Sequence, residues 1–137
     1  MGLILDSGVL IDAERQARPV SGLLADLERE HGETDIVLSA ITVIELEHGL
    51  YRAQTAEQAR TRRDYLDTVF AAIPVEPFTT EMARIAAKID AEARQARRVI
   101  PFADLLIGAT AIHFGYGVGT RNLRHFQMIP NLAIVPL

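Results

Sequence analysis

Three carboxylates stand where carboxylates are costly. Asp104 lies inside the apolar run IPFADLLIGA (100–109), with Ile100 one turn behind it and Ile107 and Gly108 one turn ahead. A lone carboxylate in such a setting costs free energy unless it is hydrogen-bonded, paired or bound to a cation. Asp6 closes the apolar stretch GLILD, and Glu45 sits in ITVIELEHGL (41–50) with Ile41 and Ile44 before it. Glu47 has an equal claim from the pattern alone, flanked as it is by Val43, Leu46 and Leu50. Each acid also has an ordinary role open to it. Asp104 can cap a helix that begins one residue later, and Asp6 can cap a segment beginning at Ser7. Either glutamate can reach the surface from the end of a buried helix.

Taken together, the acids suggest a different chemistry. Like charges held close raise one another's pKa unless a cation neutralises them. All-oxygen ligands favour Mg²⁺ or Mn²⁺ over zinc, and such ions keep several waters and bind substrate phosphates. Water on such an ion loses its proton more easily, and two ions ~4 Å apart can steady both the attacking and the leaving oxygen. This fits phosphodiester hydrolysis.

The surrounding elements must bring these side chains together. The pattern predicts a strand over 2–6, a helix from Ser7 with Ser7 as its cap, a helix over 19–32 and a strand over 35–39. Residues 41–50 read as a helix apolar nearly all round, hence buried. A long helix follows over 55–73, then a short strand over 73–78 with edge-like prolines. A further helix over 79–97 opens with Thr79 and Glu81 near a capping arrangement. Pro101 suits the first position of the Asp104 helix, and strands follow over 116–120 and 132–137. Strands separated by helices imply parallel pairing in a layered α/β sheet. Ligands in such sheets gather beyond the carboxyl ends of the strands, where Asp6 and Thr120 both stand and Asn122 follows.

The 137 residues read as one domain, 1–137, with no repeat or linker to split it. No apolar run reaches membrane-spanning length, and the N-terminus MGLILD lacks the features of a secretory signal. No cysteine is present, which excludes disulfides and thiolate metal sites and is compatible with the cytosol. The net charge of −4 argues against a non-specific nucleic-acid coat, yet thirteen of the fourteen basic residues are arginine. Arginine meets phosphate bidentately. The arginines of the Arg84–Arg98 segment, with Arg121 and Arg124, are candidate phosphate contacts against the simpler reading of a solvated face.

A second metal chemistry is weaker. Glu28…His31 and Glu45…His48 both have Glu-x-x-His spacing, as in di-iron bundles, but those need four long helices and two more glutamates. His48, His113 and His125 read as packing or surface residues, none with zinc-site spacing. Chemistry on a small phosphorylated metabolite lacks a phosphate-cradling loop, since GYGVGT belongs to a strand.

Four segments, LILDSGVLID, LSAITVIELEHGL, IPFADLLIGATA and VGTRNLRHF, occur in that order along the chain. In order, spacing and total length the chain resembles the PIN domain, and more narrowly the VapC-type toxins of bacterial and archaeal toxin–antitoxin pairs. The resemblance implies a three-layer α/β fold with a short, mostly parallel sheet flanked by helices. It matches Asp6, Glu45 and Asp104 to the family's catalytic and metal-binding acids, choosing Glu45 over Glu47. It matches Ser7 and Thr120 to supporting hydroxyl residues. At the last acidic position, where the family often has Asp, this chain has Asn122, which implies weaker binding of a second ion.

The activity implied is Mg²⁺-dependent cleavage of structured RNA of the tRNA or ribosomal RNA class, with Mn²⁺ as a substitute. The implied partners are a VapB-type antitoxin and a second copy of the chain, in the cytoplasm and without a membrane. Arg121 and Arg124 become candidate RNA contacts. The alternative is a PIN-fold binding module that has lost its chemistry and acts only through its partner.

Overall fold

The computed structural model describes residues 2–137. Its frame is a sheet in which every neighbouring pair of strands is parallel, in the order β3-β2-β1-β4-β5. The strands are β1 (Gly2–Leu5), β2 (Asp35–Ser39), β3 (Val75–Glu76), β4 (Gly117–Thr120) and β5 (Ile134–Pro136). The helices between them are α1 (Ser7–Arg15), α2 (Val20–His31), α3 (Ala40–Tyr51), α4 (Ala56–Ala72), α5 (Thr80–Gln95), α6 (Phe102–Phe114) and the single turn α7 (Leu123–Phe126).

Side chains alternate across a strand, so each apolar strand feeds two cores. Ile4, Val37 and Val118 join one apolar cluster with Ala86 and Ile89 of α5 and Ile107 and Ala111 of α6. Leu5 and Leu38 join the other with Leu10 of α1, Leu23 of α2 and Leu66 of α4. The fold therefore has three layers, with the sheet in the middle. Gly108 keeps α6 close to the C-terminal segment, because a Cβ there would run into the end of Ile129. Gly115 ends α6 with a left-handed φ of 67°, which turns the chain directly into β4.

Several boundaries differ from the sequence reading for identifiable reasons. Asp6, not Ser7, caps α1: the Asp6 carboxylate accepts from the Ser7 N–H. The cap of α5 pairs Thr79 with Met82 rather than Glu81. Pro101 precedes α6 as its N-cap, so Asp104 lies inside the first turn instead of capping a later start. The predicted strand at 73–78 shortens to two residues at the sheet edge, where Pro74 and Pro77 flank it. The segment 41–50 is helical but not buried all round. Only Thr42 and Leu46 are fully buried on α3, and Ile44 is 65% exposed.

Candidate functional site

The strand order reverses at β1: β2 and β3 extend the sheet on one side of it, and β4 and β5 on the other. The crevice between the ends of β1 and β4 is thus where a ligand site is expected in an open parallel sheet. The Asp6 N–H bonds to the Gly119 carbonyl at 2.9 Å, which carries the β1–β4 ladder one residue past the strand and fixes Asp6 beside Thr120.

Both Asp6 oxygens are held. Oδ1 accepts from the Ser7 N–H at 2.9 Å, and Oδ2 accepts from the Thr120 hydroxyl at 2.9 Å. The Thr120 oxygen in turn accepts from the Asn122 N–H at 2.9 Å. These bonds run from the end of β1 across to the loop after β4. The capping role and the site role of Asp6 are therefore compatible, because each uses a different oxygen.

Asp104 enters from the first turn of α6, where a negative charge is favoured by the helix dipole. Its Oδ2 lies 2.7 Å from His125 Nδ1, on α7. The Asn122 side-chain amide lies 2.8 Å from the same ring nitrogen. One nitrogen cannot donate to a carboxylate and accept from an amide together. If Nδ1 carries the proton toward Asp104, the amide must turn its oxygen to the ring. The sequence pattern makes His125 a packing or surface residue, whereas the structure places it against Asp104. The usable signal was its spacing from Asn122, i and i+3 on one helical turn. That helix itself went unrecognised in the sequence.

Glu45 reaches the group from α3. Its Oε1 is buried without a hydrogen-bond partner, and the buried Thr42 hydroxyl one turn earlier is likewise unpartnered. A buried polar atom left unpaired costs free energy comparable to a lost hydrogen bond or more. Burial pushes the Glu45 carboxyl above its ordinary value, the Asp6 charge adds to this, the Ser7 hydroxyl offsets part of it, and Asp104 adds again. Burial likewise raises Asp6, Thr120 lowers it, and the Asp104 charge raises it further. The three acids thus share one electrostatic environment although their elements are far apart in sequence. Among the described residues no three Asp, Glu or His side chains are drawn together closely enough to hold a metal ion as they stand. Glu47 belongs elsewhere, in an ion pair with Arg63 at 2.9 Å.

The donor set suits a hard divalent cation. Carboxylate oxygens from three elements surround one crevice, their charges oppose one another, and Glu45 Oε1 has a lone pair without a donor. Of the expected phosphate contacts, Arg121 is engaged with Asp12 at 3.1 Å and Arg94 with Asp90 at 2.9 Å. Arg124 makes no ion pair among the described residues.

The PIN domain family matches residues 3–129. The chain is similar to "Ribonuclease VapC" of Rickettsia bellii, 30% identical, over 100% of this chain and 98% of that one. It is similar to "VapC ribonuclease Y4jK" of Sinorhizobium fredii, 34% identical over 91% of this chain and 90% of the relative. Among solved structures, VapBC2 from Rickettsia felis bound to a promoter DNA fragment superposes with a TM-score of 0.87. It is 23% identical, over 100% and 99% of the two chains. FitAcB from Neisseria gonorrhoeae has a TM-score of 0.78 and 27% identity, over 96% and 95%.

Proposed function

The chain belongs to the PIN domain family and, within it, to the VapC ribonucleases; from that premise we propose that it is a Mg²⁺- or Mn²⁺-dependent endoribonuclease toxin. The observation that carries this reading is the unpartnered Glu45 Oε1, buried among mutually opposing carboxylates. Asp6, Glu45 and Asp104 would hold the cation, with Asn122 as a neutral fourth donor. When bound, the cation supplies charge neutralisation and a water that is easier to deprotonate.

The protein's own residues do the remaining work. Asp6 is fixed by Ser7 and Thr120, so its carboxylate is oriented before any ligand arrives. His125 orients Asp104 through Oδ2. Without the cation the acids repel a phosphodiester, so RNA enters only a neutralised site. The substrate class is structured RNA of the tRNA or ribosomal RNA type.

The partners in this reading are a VapB-type antitoxin, as in the VapBC complexes that share this fold, and a second copy of the chain. Ile44, Val99 and Phe102, each at least 65% exposed, are apolar side chains that a partner would cover. No helix among the described residues is long and apolar enough to cross a membrane.

The test is calorimetric titration of Mg²⁺ and Mn²⁺ into the protein and its Asp104→Asn variant, with parallel incubation of both with total cellular RNA. Metal binding and discrete RNA cuts that disappear together in the variant support the reading. A wild-type protein that neither binds metal nor cuts RNA would sink it and leave a partner-binding module.

A further inference from the structure

A cavity of about 310 Å³ opens beside Glu45, between α1, α3 and α4. Its floor is apolar, formed by Leu10, Leu46, Tyr65 and Leu66. Tyr65 is held in place by its hydroxyl, which donates to the Leu10 carbonyl at 2.9 Å. The rim carries Arg15, Arg52 and Arg62, with Glu14 among them and within electrostatic reach of Arg62 and Arg15. Of the thirteen arginines, five are in ion pairs with carboxylates: Arg18, Arg29, Arg63, Arg94 and Arg121. All three at this rim are outside that set. Arg62 is oriented by donating to the Gly49 carbonyl at 2.7 Å.

An apolar floor below guanidinium groups that are in no close ion pair, Arg52 the freest of them, matches a flat base with a phosphate beside it. The volume lies at the low end of small-ligand sites, about 300–1,000 Å³, which suits one nucleoside rather than a longer segment. Recognition of RNA by sequence works mainly on bases splayed out of the stack. Glu45 belongs both to this cavity and to the acidic crevice, so an occupant would lie directly next to the reacting phosphate.

We propose that this cavity is a nucleotide subsite that takes one unstacked base and its phosphate beside the scissile bond of the RNA substrate. The inference rests on the ribonuclease reading above and adds the part of the site that selects among RNA positions. None of the acids assigned to the cation supplies the base contact. That contact comes from α1, α3 and α4, and the phosphate contact from Arg15 and Arg52.

Gly49 offers a clean test, because a Cβ there would point into open space and meet no atom of the protein within 4 Å. Gly49→Leu therefore fills the cavity mouth without disturbing the fold. Binding of fluorescent uridine, adenosine, cytidine and guanosine hexaribonucleotides is measured by anisotropy in an Asp104→Asn background, which keeps the RNA intact. The expected result is at least a fivefold loss of affinity for the preferred hexamer with Gly49→Leu. Arg15→Gln with Arg52→Gln should lower the slope of log affinity against log salt by ~0.7, the value for one phosphate contact on a single strand.

The proposal fails if both variants bind with the parent's affinity and salt slope, or if the parent binds none of the hexamers. It also fails if the variants bind RNA normally but lose their antitoxin, which would make the cavity a protein-docking site. The ribonuclease reading is judged separately, by cleavage of total RNA with the wild-type cavity. Should Gly49→Leu melt early, the arginine pair decides alone.

Discussion

His125 Nδ1 lies 2.7 Å from Asp104 Oδ2, a contact between the single-turn helix α7 and the first turn of α6. The histidine is held there by its neighbour Phe126, which is completely buried in the core. A ring that donates to a ligating carboxylate fixes the orientation of that carboxylate, and losing such a partner typically costs 10–100-fold in metal affinity. His125→Ala should therefore weaken Mn²⁺ binding at least tenfold with little change in melting temperature. His125→Asn, which keeps a donor, should recover part of the loss. Identical calorimetric isotherms for wild type and His125→Ala would remove the histidine from the site.

Glu45 gives a prediction whose sign depends on pH. Its carboxyl is raised above the ordinary value of 4.5, chiefly by burial and next by the Asp6 charge. A group whose folded pKa is raised contributes stability below its unfolded value, and that contribution is lost as pH rises through the folded value. In the metal-free protein at pH 8 the ionised Glu45 is thus a net cost. Glu45→Gln should raise the melting temperature there by a few degrees, with the gain shrinking as pH falls through the raised folded value and gone below about 4.5. The same variant should bind no Mg²⁺ and cut no RNA. Thermal melts across pH with chelator present measure the first effect, and a pH-independent gain would contradict it.

The Thr120 hydroxyl donates to Asp6 Oδ2 while accepting from the Asn122 N–H. Thr120→Val keeps the shape and removes both bonds in a fully buried place. Leaving a buried carboxylate oxygen and an N–H unpaired should cost about 2 kcal/mol, a fall in melting temperature of the order of 8 °C. Because Thr120 also holds the Asp6 carboxyl down, its loss should move that group still higher and weaken metal binding at neutral pH. Thr120→Ser restores the hydroxyl and should restore both properties. A Val variant as stable as wild type would show that water replaces the bonds freely.

Much of this architecture was legible in the chain because its signals are local. Apolar runs ending at Asp6 and Thr120 and the cap at Thr79 each follow from a few adjacent residues. The parallel order followed from alternating strands and helices. The exposed face of α3 did not, because an apolar residue such as Ile44 reads alike whether it meets the core or a partner. The Asp104–His125 contact also stayed hidden, being made across 21 residues by a four-residue helix too short to show periodicity. Likewise, choosing Glu45 over Glu47 required a resemblance. In the structure the two are distinguished physically: Glu47 meets Arg63, whereas one oxygen of Glu45 meets nothing.

The last position to test is Asn122, whose carboxamide shares the His125 ring nitrogen with the Asp104 carboxylate. Its backbone N–H is already committed to Thr120 at 2.9 Å, and its side chain faces His125 at 2.8 Å. Asn122→Asp would put a fourth negative charge into a crevice in which Asp6 and Glu45 are already raised. Without metal that charge has no partner except His125, so the variant should melt lower than wild type at pH 8 when chelator is present. With a divalent cation the balance reverses, because each added anionic oxygen strengthens the hold on a hard ion. Mg²⁺ should then bind more tightly, and the stabilisation it confers at a fixed concentration should exceed that in wild type by mass action. Calorimetry and melts with chelator and with saturating Mg²⁺ read both signs in one series. If the added carboxylate lowers stability equally in both conditions, Asn122 does not face the cation, and the donor set ends with Asp6, Glu45 and Asp104.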